Sequence, residues 1–272
     1  METEDDASRF GSVWKGWETY QLFAESVKTN LRYVRYRAAN DFLENVLATC
    51  GNRKLTIPQG NIYWRARLGC EYEQVIREDG DIQVFWNEDR PYSRDGMKPV
   101  SNWQSEGRAN PRGIPYLYLA TTRDTALAEV RPWIGSPISV AQFQIRRDLN
   151  VIDCSKHHSK KNTVALIGDK TRSREDGIWI AIDQAFATPV TGDDKGGDYI
   201  PTQIIAEMFK CEGFDGIVYK SLLSEDGFNL ALFSLDAASV VNCALYKTAS
   251  ISFDFQPEGI EYFVRDEGDS GA

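Results

Sequence analysis

Histidine is scarce in this sequence of 272 residues: the chain has two, His157 and His158, and they are adjacent. The five cysteines are odd in number and widely spaced, and no CxxC pair occurs. This pattern argues against a zinc site, a disulfide framework and a Ser-His-Asp hydrolase. No Gly-x-Gly-x-x-Gly motif or P-loop supports hydride or phosphoryl transfer. We therefore expect no metal, no bound cofactor and reduced thiols.

Long hydrophobic runs are also absent, since nowhere do about 18 apolar residues follow one another as a membrane-spanning helix would require. The first residues, METEDDASRF, lack the basic start and apolar stretch of a secretory signal. We expect a cytoplasmic protein with no membrane partner. The formal net charge of -9 argues against broad binding to nucleic acid but leaves room for a local basic pocket.

The spacing of apolar residues changes along the chain. Residues 14–50 show helical spacing, which predicts one or two helices, whereas later segments alternate as strands do. Because strands and helices do not alternate strictly, we predict an α+β fold with mixed or antiparallel sheets and flanking helices. We divide the chain into a helical N-terminal extension (1–55), a main domain (56–250) with a surface insertion (69–106), and an acidic tail (251–272).

Individual strands can be predicted from the same alternation. The insertion at 69–106 is rich in charged and turn residues and shows one short strand, and the segment 178–186 fits either a strand or a helix. The clearest strands cover residues 62–67, 116–120, 138–145 and 151–153.

The predicted strand at 62–67 places Tyr63, Arg65 and Arg67 on one face. The guanidinium of Arg65 offers a planar fork of donors suited to a diphosphate, with Tyr63 and Arg67 beside it. A surface salt bridge is the alternative interpretation of Arg65.

The segment GRANPRGIPYLYLATTRDTALAEVRP, from Gly107 to Pro132, concentrates the other candidates. Arg108 and Asn110 lie in an irregular stretch whose glycines let the backbone approach a ligand, or simply form a turn. Tyr116 and Tyr118 share one face of a strand, where tyrosines can stack on a flat or cationic heterocycle or belong to the core.

Glu129 lies near the end of a short helix that Thr121 or Thr122 would cap and Pro132 would stop. A carboxylate at a helix C-terminus opposes the helix dipole, and such a broken rule can mark function. Arg131 is close enough in sequence to neutralise the carboxylate instead. Ser221 has no Gly-x-Ser-x-Gly context, so it is a weak candidate for a nucleophile.

Three blocks of this sequence, in this order, resemble the RES domain family, which is named for its Arg, Glu and Ser. Together they frame residues 60–235. The blocks are YWRAR with Arg65, GRANPRGIPYLYLATTRDTALAEVRP with Arg108, Tyr118 and Glu129, and PTQIIAEMFKCEGFDGIVYKSLLSEDGFNLALF with Ser221.

The resemblance implies an ADP-ribosyltransferase-like core and an enzyme that degrades NAD by phosphorolysis or hydrolysis, as many bacterial toxins of this family do. It implies that Arg65 and Arg108 hold the diphosphate, that Tyr118 stacks on nicotinamide or its ribose, and that Glu129 addresses the ribose at the scissile bond. Ser221 would line the same pocket and bind rather than attack. The candidate catalytic set is thus Arg65, Glu129 and Ser221, and the candidate substrate-binding residues are Arg108, Asn110, Tyr118, Arg67 and Tyr116.

The sequence does not determine which molecule accepts the ADP-ribosyl group. Inorganic phosphate would give ADP-ribose 1''-phosphate, water would give ADP-ribose, and a macromolecule would become ADP-ribosylated. A further arginine near the anomeric carbon would favour phosphate, but the sequence does not place one. Shorter family members lack the extension and the insertion, so a cognate antitoxin and self-association are both open as partners. A catalytically silent NAD-binding module is the alternative from a different class.

Overall fold

The computed structural model describes residues 17–79, 82–99, 106–156, 158, 174–189, 197–252, 255 and 259. The chain begins there with two helices, α1 (Trp17–Glu25), which continues as a π-helical turn (Ser26–Asn30), and α2 (Arg37–Thr49). The buried residues of α2 recur at helical spacing, and Phe42 stacks on Phe23 of α1 with ring centroids 4.5 Å apart. The expectation of one or two N-terminal helices is therefore confirmed for these residues.

Eight strands form one mixed sheet: β1 (Lys54–Ile57), β2 (Ile62–Leu68), β5 (Leu117–Ala120), β6 (Pro137–Ile145), β7 (Leu149–Asp153), β8 (Gly216–Lys220), β9 (Phe228–Leu232) and β10 (Ala238–Lys247). They lie in the order β1-β7-β8-β9-β5-β2-β6-β10. The pair β7 and β8 is parallel, and the other neighbours are antiparallel.

The sheet is nearly split between β2 and β5. These strands share one register pair, Trp64 with Ala120, whereas β2 pairs with β6 over seven residues from Ile62 to Leu68. Beyond Trp64 the two strands diverge and leave backbone groups of β5 without a ladder partner from β2. Side chains must satisfy those groups, and a cavity can form between the two halves.

The two faces of the sheet carry separate apolar clusters. Helices α1 and α2 pack with α4 (Arg174–Ala187) and α5 (Ile200–Cys211) on the face that carries Tyr116 and Tyr118. Leu117 and Leu119 belong to the cluster of the opposite face. The alternation predicted at 116–120 is therefore confirmed, and it decides which side chains of β5 reach the helical side.

The α+β class with a mixed sheet and flanking helices is confirmed. The ambiguous segment 178–186 lies within the helix α4, and the predicted strands at 138–145 and 151–153 correspond to β6 and β7. None of the helices in the described part of the chain is long and apolar enough to cross a membrane. The division into domains and the likeness to ADP-ribosyltransferases stay predictions.

The insertion at 69–106 is more ordered than the sequence predicts. Instead of one short strand, it contains the strands β3 (Glu71–Asp79) and β4 (Ile82–Arg90), which pair antiparallel over their whole length. This two-stranded sheet is exposed on both faces, so its strands need no alternation of apolar and polar residues, and that signal is missing. Met97, after β4, is nevertheless wholly buried. Most of the predicted acidic tail and His157 lie outside the described residues.

Candidate functional site

A cavity of about 490 Å³ opens at the split between β2 and β5. Its walls come from β2, from the loop at 106–110, from β5, and from the helix α3 (Arg123–Glu129) with the two residues that follow it. Tyr199, Tyr219 and Asn229 complete the lining. The volume falls in the range of small-molecule sites.

Arg65, on β2, bonds across the split to β5 and also to the insertion. Its Nε donates to the carbonyl of Met97, and its Nη1 donates to the carbonyl of Tyr118, both at 3.0 Å. Burial, reinforced by the positive charge of Arg67, lowers the pKa of Arg65 to about 10, so the guanidinium stays charged at neutral pH. The cavity thus contains an oriented cation.

Arg108 forms a second basic group in the cavity wall. Its Nη1 donates to the carbonyl of Phe186 at 3.0 Å, and its guanidinium lies 5.6 Å from the ring centroid of Tyr219. The side chain is 9% exposed. Two oriented arginines in the cavity lining make the cavity suited to a doubly charged anionic group.

Tyr118 presents its ring to the cavity while its hydroxyl is fully engaged. The hydroxyl donates to Asn110 Oδ1 at 2.7 Å and accepts from the backbone N–H of Ala109 at 3.0 Å. Burial raises the pKa of Tyr118, which keeps the phenol neutral. A Cβ on Gly107 would lie 2.7 Å from the hydroxyl oxygen of Tyr118, so the close approach requires glycine there.

Asn110 lines the cavity but is wholly buried. Its amide donates to the carbonyls of Pro111 at 3.1 Å and Ile114 at 2.9 Å, while its oxygen accepts from Tyr118. The structure gives this predicted substrate-binding residue a role in holding the loop and the tyrosine.

Two predicted substrate-binding residues lie away from the cavity. Arg67 follows Arg65 on the same face of β2, but it packs over the ring of Tyr92 at 4.3 Å and donates to the carbonyl of Gly96. Tyr116 is wholly buried against Phe233, with ring centroids 4.9 Å apart. Neither residue lines this cavity, and their part in substrate binding stays a prediction.

Glu129 is the last residue of α3, which Thr122 caps by accepting from the N–H of Thr125 at 3.1 Å. Its Oε1 accepts from Ser221 Oγ at 2.7 Å and from Asn229 Nδ2 at 2.6 Å. These donors offset the unfavourable position of the carboxylate at the helix C-terminus. Within the described residues Oε2 accepts no hydrogen bond, and Arg131 forms no ion pair with Glu129.

Ser221 has a supporting position at the end of β8. It is 1% exposed, its hydroxyl donates to Glu129, and the N–H of Leu223 donates to it at 3.2 Å. It is absent from the residues that line the cavity. The described histidine, His158, lies 2.7 Å from Asp183, and within the described residues no hydrogen bond joins it to Ser221, so Ser221 lacks the neighbouring base that a nucleophilic serine requires.

Asn229 is the main candidate site residue that the sequence does not reveal. It is buried on β9, and its Nδ2 donates to the carboxylate of Glu129, which lies 100 positions earlier in the chain. The one available signal was a lone amide within the apolar strand FNLAL. Tyr199 and Tyr219, which also line the cavity, carried no such signal.

Together these elements define an α+β protein with a cavity that holds two oriented arginines, an aromatic ring and a braced carboxylate. No group of His, Cys, Asp or Glu within the described residues is arranged to hold a metal ion. A model of the RES domain family matches residues 85–255, which is more than half of the chain. The protein therefore belongs to the RES domain family.

Comparisons with individual proteins add little to this assignment. No curated protein matches the sequence significantly. A similar solved structure is the crystal structure of the M. tuberculosis MbcT-MbcA toxin–antitoxin complex, with 13% identity and a TM-score of 0.40. The similarity covers 75% of this chain and 93% of that chain.

Proposed function

We propose that this protein cleaves the nicotinamide–ribose bond of NAD and transfers the ADP-ribosyl group to phosphate or water. The observation that carries the proposal is the carboxylate of Glu129, held through Oε1 by Ser221 and Asn229 while Oε2 accepts no hydrogen bond from any described residue. The RES membership and the two arginines beside this carboxylate support the same substrate.

The chemistry fits the arrangement. Departure of nicotinamide takes the bonding electron pair to the ring nitrogen and gives a neutral leaving group, so no protein acid is needed. The ribose left behind gains oxocarbenium character, and an oriented carboxylate stabilises that charge as it develops. Because two donors already fix Glu129, the carboxylate need not reorganise during the reaction.

Substrate binding is assigned to the two arginines and the tyrosine that line the same cavity. Arg65 and Arg108 contact the diphosphate with the donors that the carbonyls of Met97, Tyr118 and Phe186 leave available. The ring of Tyr118 stacks on nicotinamide or its ribose. This arrangement orients the scissile bond toward Glu129.

The test is release of free nicotinamide from NAD by the purified full chain, with and without inorganic phosphate, with the products identified by mass spectrometry. Glu129→Gln keeps the shape and the Oε1 acceptor but removes the charge, and we expect it to slow release by about 100-fold or more. Arg65→Ala should also suppress turnover.

Glu44→Gln is the matched control, because Glu44 is an exposed glutamate on α2, outside this cavity. Circular dichroism and melting temperature verify that each variant is folded. Absence of nicotinamide release by the wild-type chain under both conditions contradicts the proposal. Labelled NAD with a cell lysate would reveal the alternative, an ADP-ribosyltransferase, through label attached to a macromolecule.

We further propose that the activity arrests growth by depleting NAD, as a toxin or defence effector. Induced expression of the wild-type chain should stop growth and lower cellular NAD, whereas Glu129→Gln should do neither. A cognate antitoxin stays a prediction, and co-expressed neighbouring proteins can be tested for rescue of growth.

A further inference from the structure

Lys220, the last residue of β8, is buried directly before Ser221 and is 6% exposed. Its Nζ donates to the carbonyl of Ser224 at 2.9 Å and to the carbonyl of Gly227 at 2.8 Å. Lysine is almost never buried unless partners offset the lost hydration of its ammonium group. An apolar side chain would pack at this position without that cost. The two carbonyls therefore indicate that the ammonium has a task here.

Both carbonyls belong to the connection between β8 and β9, which comprises residues 221–227. The carbonyl of Gly227 accepts from the backbone N–H of Ser221 at 3.1 Å as well as from Lys220. The ammonium therefore shares an acceptor with the serine whose hydroxyl holds the candidate carboxylate. Removal of the ammonium takes a donor from this carbonyl and from that of Ser224, so the connection can open next to the serine.

The same connection contacts helix α3 at both ends. Near the start of α3, Thr125 Oγ1 donates to Ser224 Oγ at 3.0 Å, and a Cβ on Gly227 would overlap Thr125 Oγ1. At the end of α3, Glu129 Oε1 accepts from Ser221 Oγ at 2.7 Å. Because the helix is joined to the connection at both ends, the conformation of the connection determines where the carboxylate lies.

We propose that Lys220 is a positioning residue for the reaction: its ammonium fixes the connection at 221–227 and thereby keeps the hydroxyl of Ser221 on Glu129 Oε1. This inference rests on the proposed function. Lys220 is absent from the cavity lining, so it acts through the serine and contacts no reacting atom. Without it, Asn229 is the remaining described donor to Oε1. The carboxylate must then reorganise as the positive charge on the ribose develops, which slows the chemical step.

A double-mutant cycle tests this role. Lys220→Met keeps the length of the side chain but removes the ammonium, Ser221→Ala removes the hydroxyl, and a double variant combines the two. Lys247→Met is the matched control, because Lys247 also ends a strand, β10, but is exposed and lies outside the cavity lining. The measurements are kcat and KM for nicotinamide release from NAD by the full chain, with circular dichroism and melting temperature to verify folding. If Lys220→Met does not fold, Lys220→Gln takes its place in the cycle.

We expect Lys220→Met to lower kcat by about tenfold while KM for NAD changes by less than about twofold. In the Ser221→Ala background, the same substitution should change kcat by less than about twofold, because the lysine acts through the serine. A lysine that merely stabilises the fold would show no such coupling. Effects that multiply in the double variant, a loss that appears in KM, or a kcat equal to that of Lys247→Met each refute the role.

Hydrogen exchange, measured by mass spectrometry on the full chain, separates this inference from the proposed function. We expect the backbone amides of 221–227 to exchange faster in Lys220→Met than in Lys247→Met. If no chain releases nicotinamide, the proposed function fails, and faster exchange still supports the hold of Lys220 on the connection. Equal exchange in the two variants refutes that hold, whether or not NAD is cleaved.

Discussion

The two sides of the cavity are held by contacts of different range. On the tyrosine side, which comprises Gly107, Ala109, Asn110 and Tyr118, the hydrogen bonds of the phenol join residues eight or nine positions apart. On the carboxylate side, which comprises Glu129, Ser221 and Asn229, they join residues 92 and 100 positions apart. The tyrosine side can form with its own loop, whereas the carboxylate side needs β8 and β9 docked beside β5. The position of the Glu129 carboxylate, and with it the role proposed for this residue, therefore depends on the whole sheet.

Of the substitutions that test this difference between the two sides, the one at Asn229, on the carboxylate side, is expected to have the largest effect. Asn229→Leu keeps a similar shape but removes one of the two donors to Glu129 Oε1. A hydrogen bond to a charged group contributes about 1.5–3 kcal/mol, so we expect nicotinamide release to slow by about 10- to 100-fold. The measurement is kcat for NAD cleavage with melting temperature alongside.

The control for this variant is Asn242→Leu, which changes an exposed asparagine on β10. The expected signature is a fall in kcat with little change in KM, because Asn229 braces the carboxylate rather than the bound diphosphate. Unchanged kcat in Asn229→Leu would show that the second donor, Ser221, suffices.

On the tyrosine side, the largest effect is expected for Gly107→Ala. The added Cβ would lie 2.7 Å from both Tyr118 Oη and Asn110 Oδ1, so their mutual hydrogen bond must move. Overpacking of this kind costs about 1–3 kcal/mol of folding stability. Chemical denaturation measures the loss, and Gly51→Ala, where a Cβ meets nothing within 4 Å, should be close to neutral. An equal effect of both variants would contradict the close approach at Gly107.

The same difference in range explains what the sequence could predict. A threonine N-cap at Thr121 or Thr122, the end of that helix before Pro132 and the alternation along β5 depend on neighbours within a few residues. The structure agrees with each and selects Thr122 as the cap. The bracing of Glu129 by Asn229 depends on residues 100 positions away, so no local pattern contains it. The sequence suggested Arg131 as the neutralising partner, because it was the charge closest along the chain.

The sequence predicts the face of a strand on which a side chain lies more reliably than it predicts which residues pack on that face. Arg65 and Arg67 share a face of β2, and Tyr116 and Tyr118 share a face at β5, yet one member of each pair reaches the cavity. The covering elements decide the outcome: Tyr92 from the insertion stacks with Arg67, and Phe233 packs on Tyr116. Alternation gives the direction of a side chain but not the tertiary neighbour that it meets.

The smallest effect is expected for Tyr118→Phe, which keeps the ring and removes the hydroxyl. The loss leaves Asn110 Oδ1 and the Ala109 N–H without this partner, so we expect the free energy of unfolding to fall by about 1 kcal/mol, with binding by the ring largely preserved.

Burial raises the pKa of Tyr118 from its ordinary value of 10.0. The folded protein therefore retains a proton that the unfolded chain releases, and the stabilisation is fully present below pH 10 and is lost as the pH rises toward the folded pKa. Denaturation curves from neutral pH to pH 11 should thus show a steeper alkaline loss for the wild-type chain than for Tyr118→Phe. Equal alkaline losses of stability in the wild-type chain and in Tyr118→Phe would show that Tyr118 has the same pKa in the folded and the unfolded chain. In that case its hydroxyl is not buried and bonded as the structure has it.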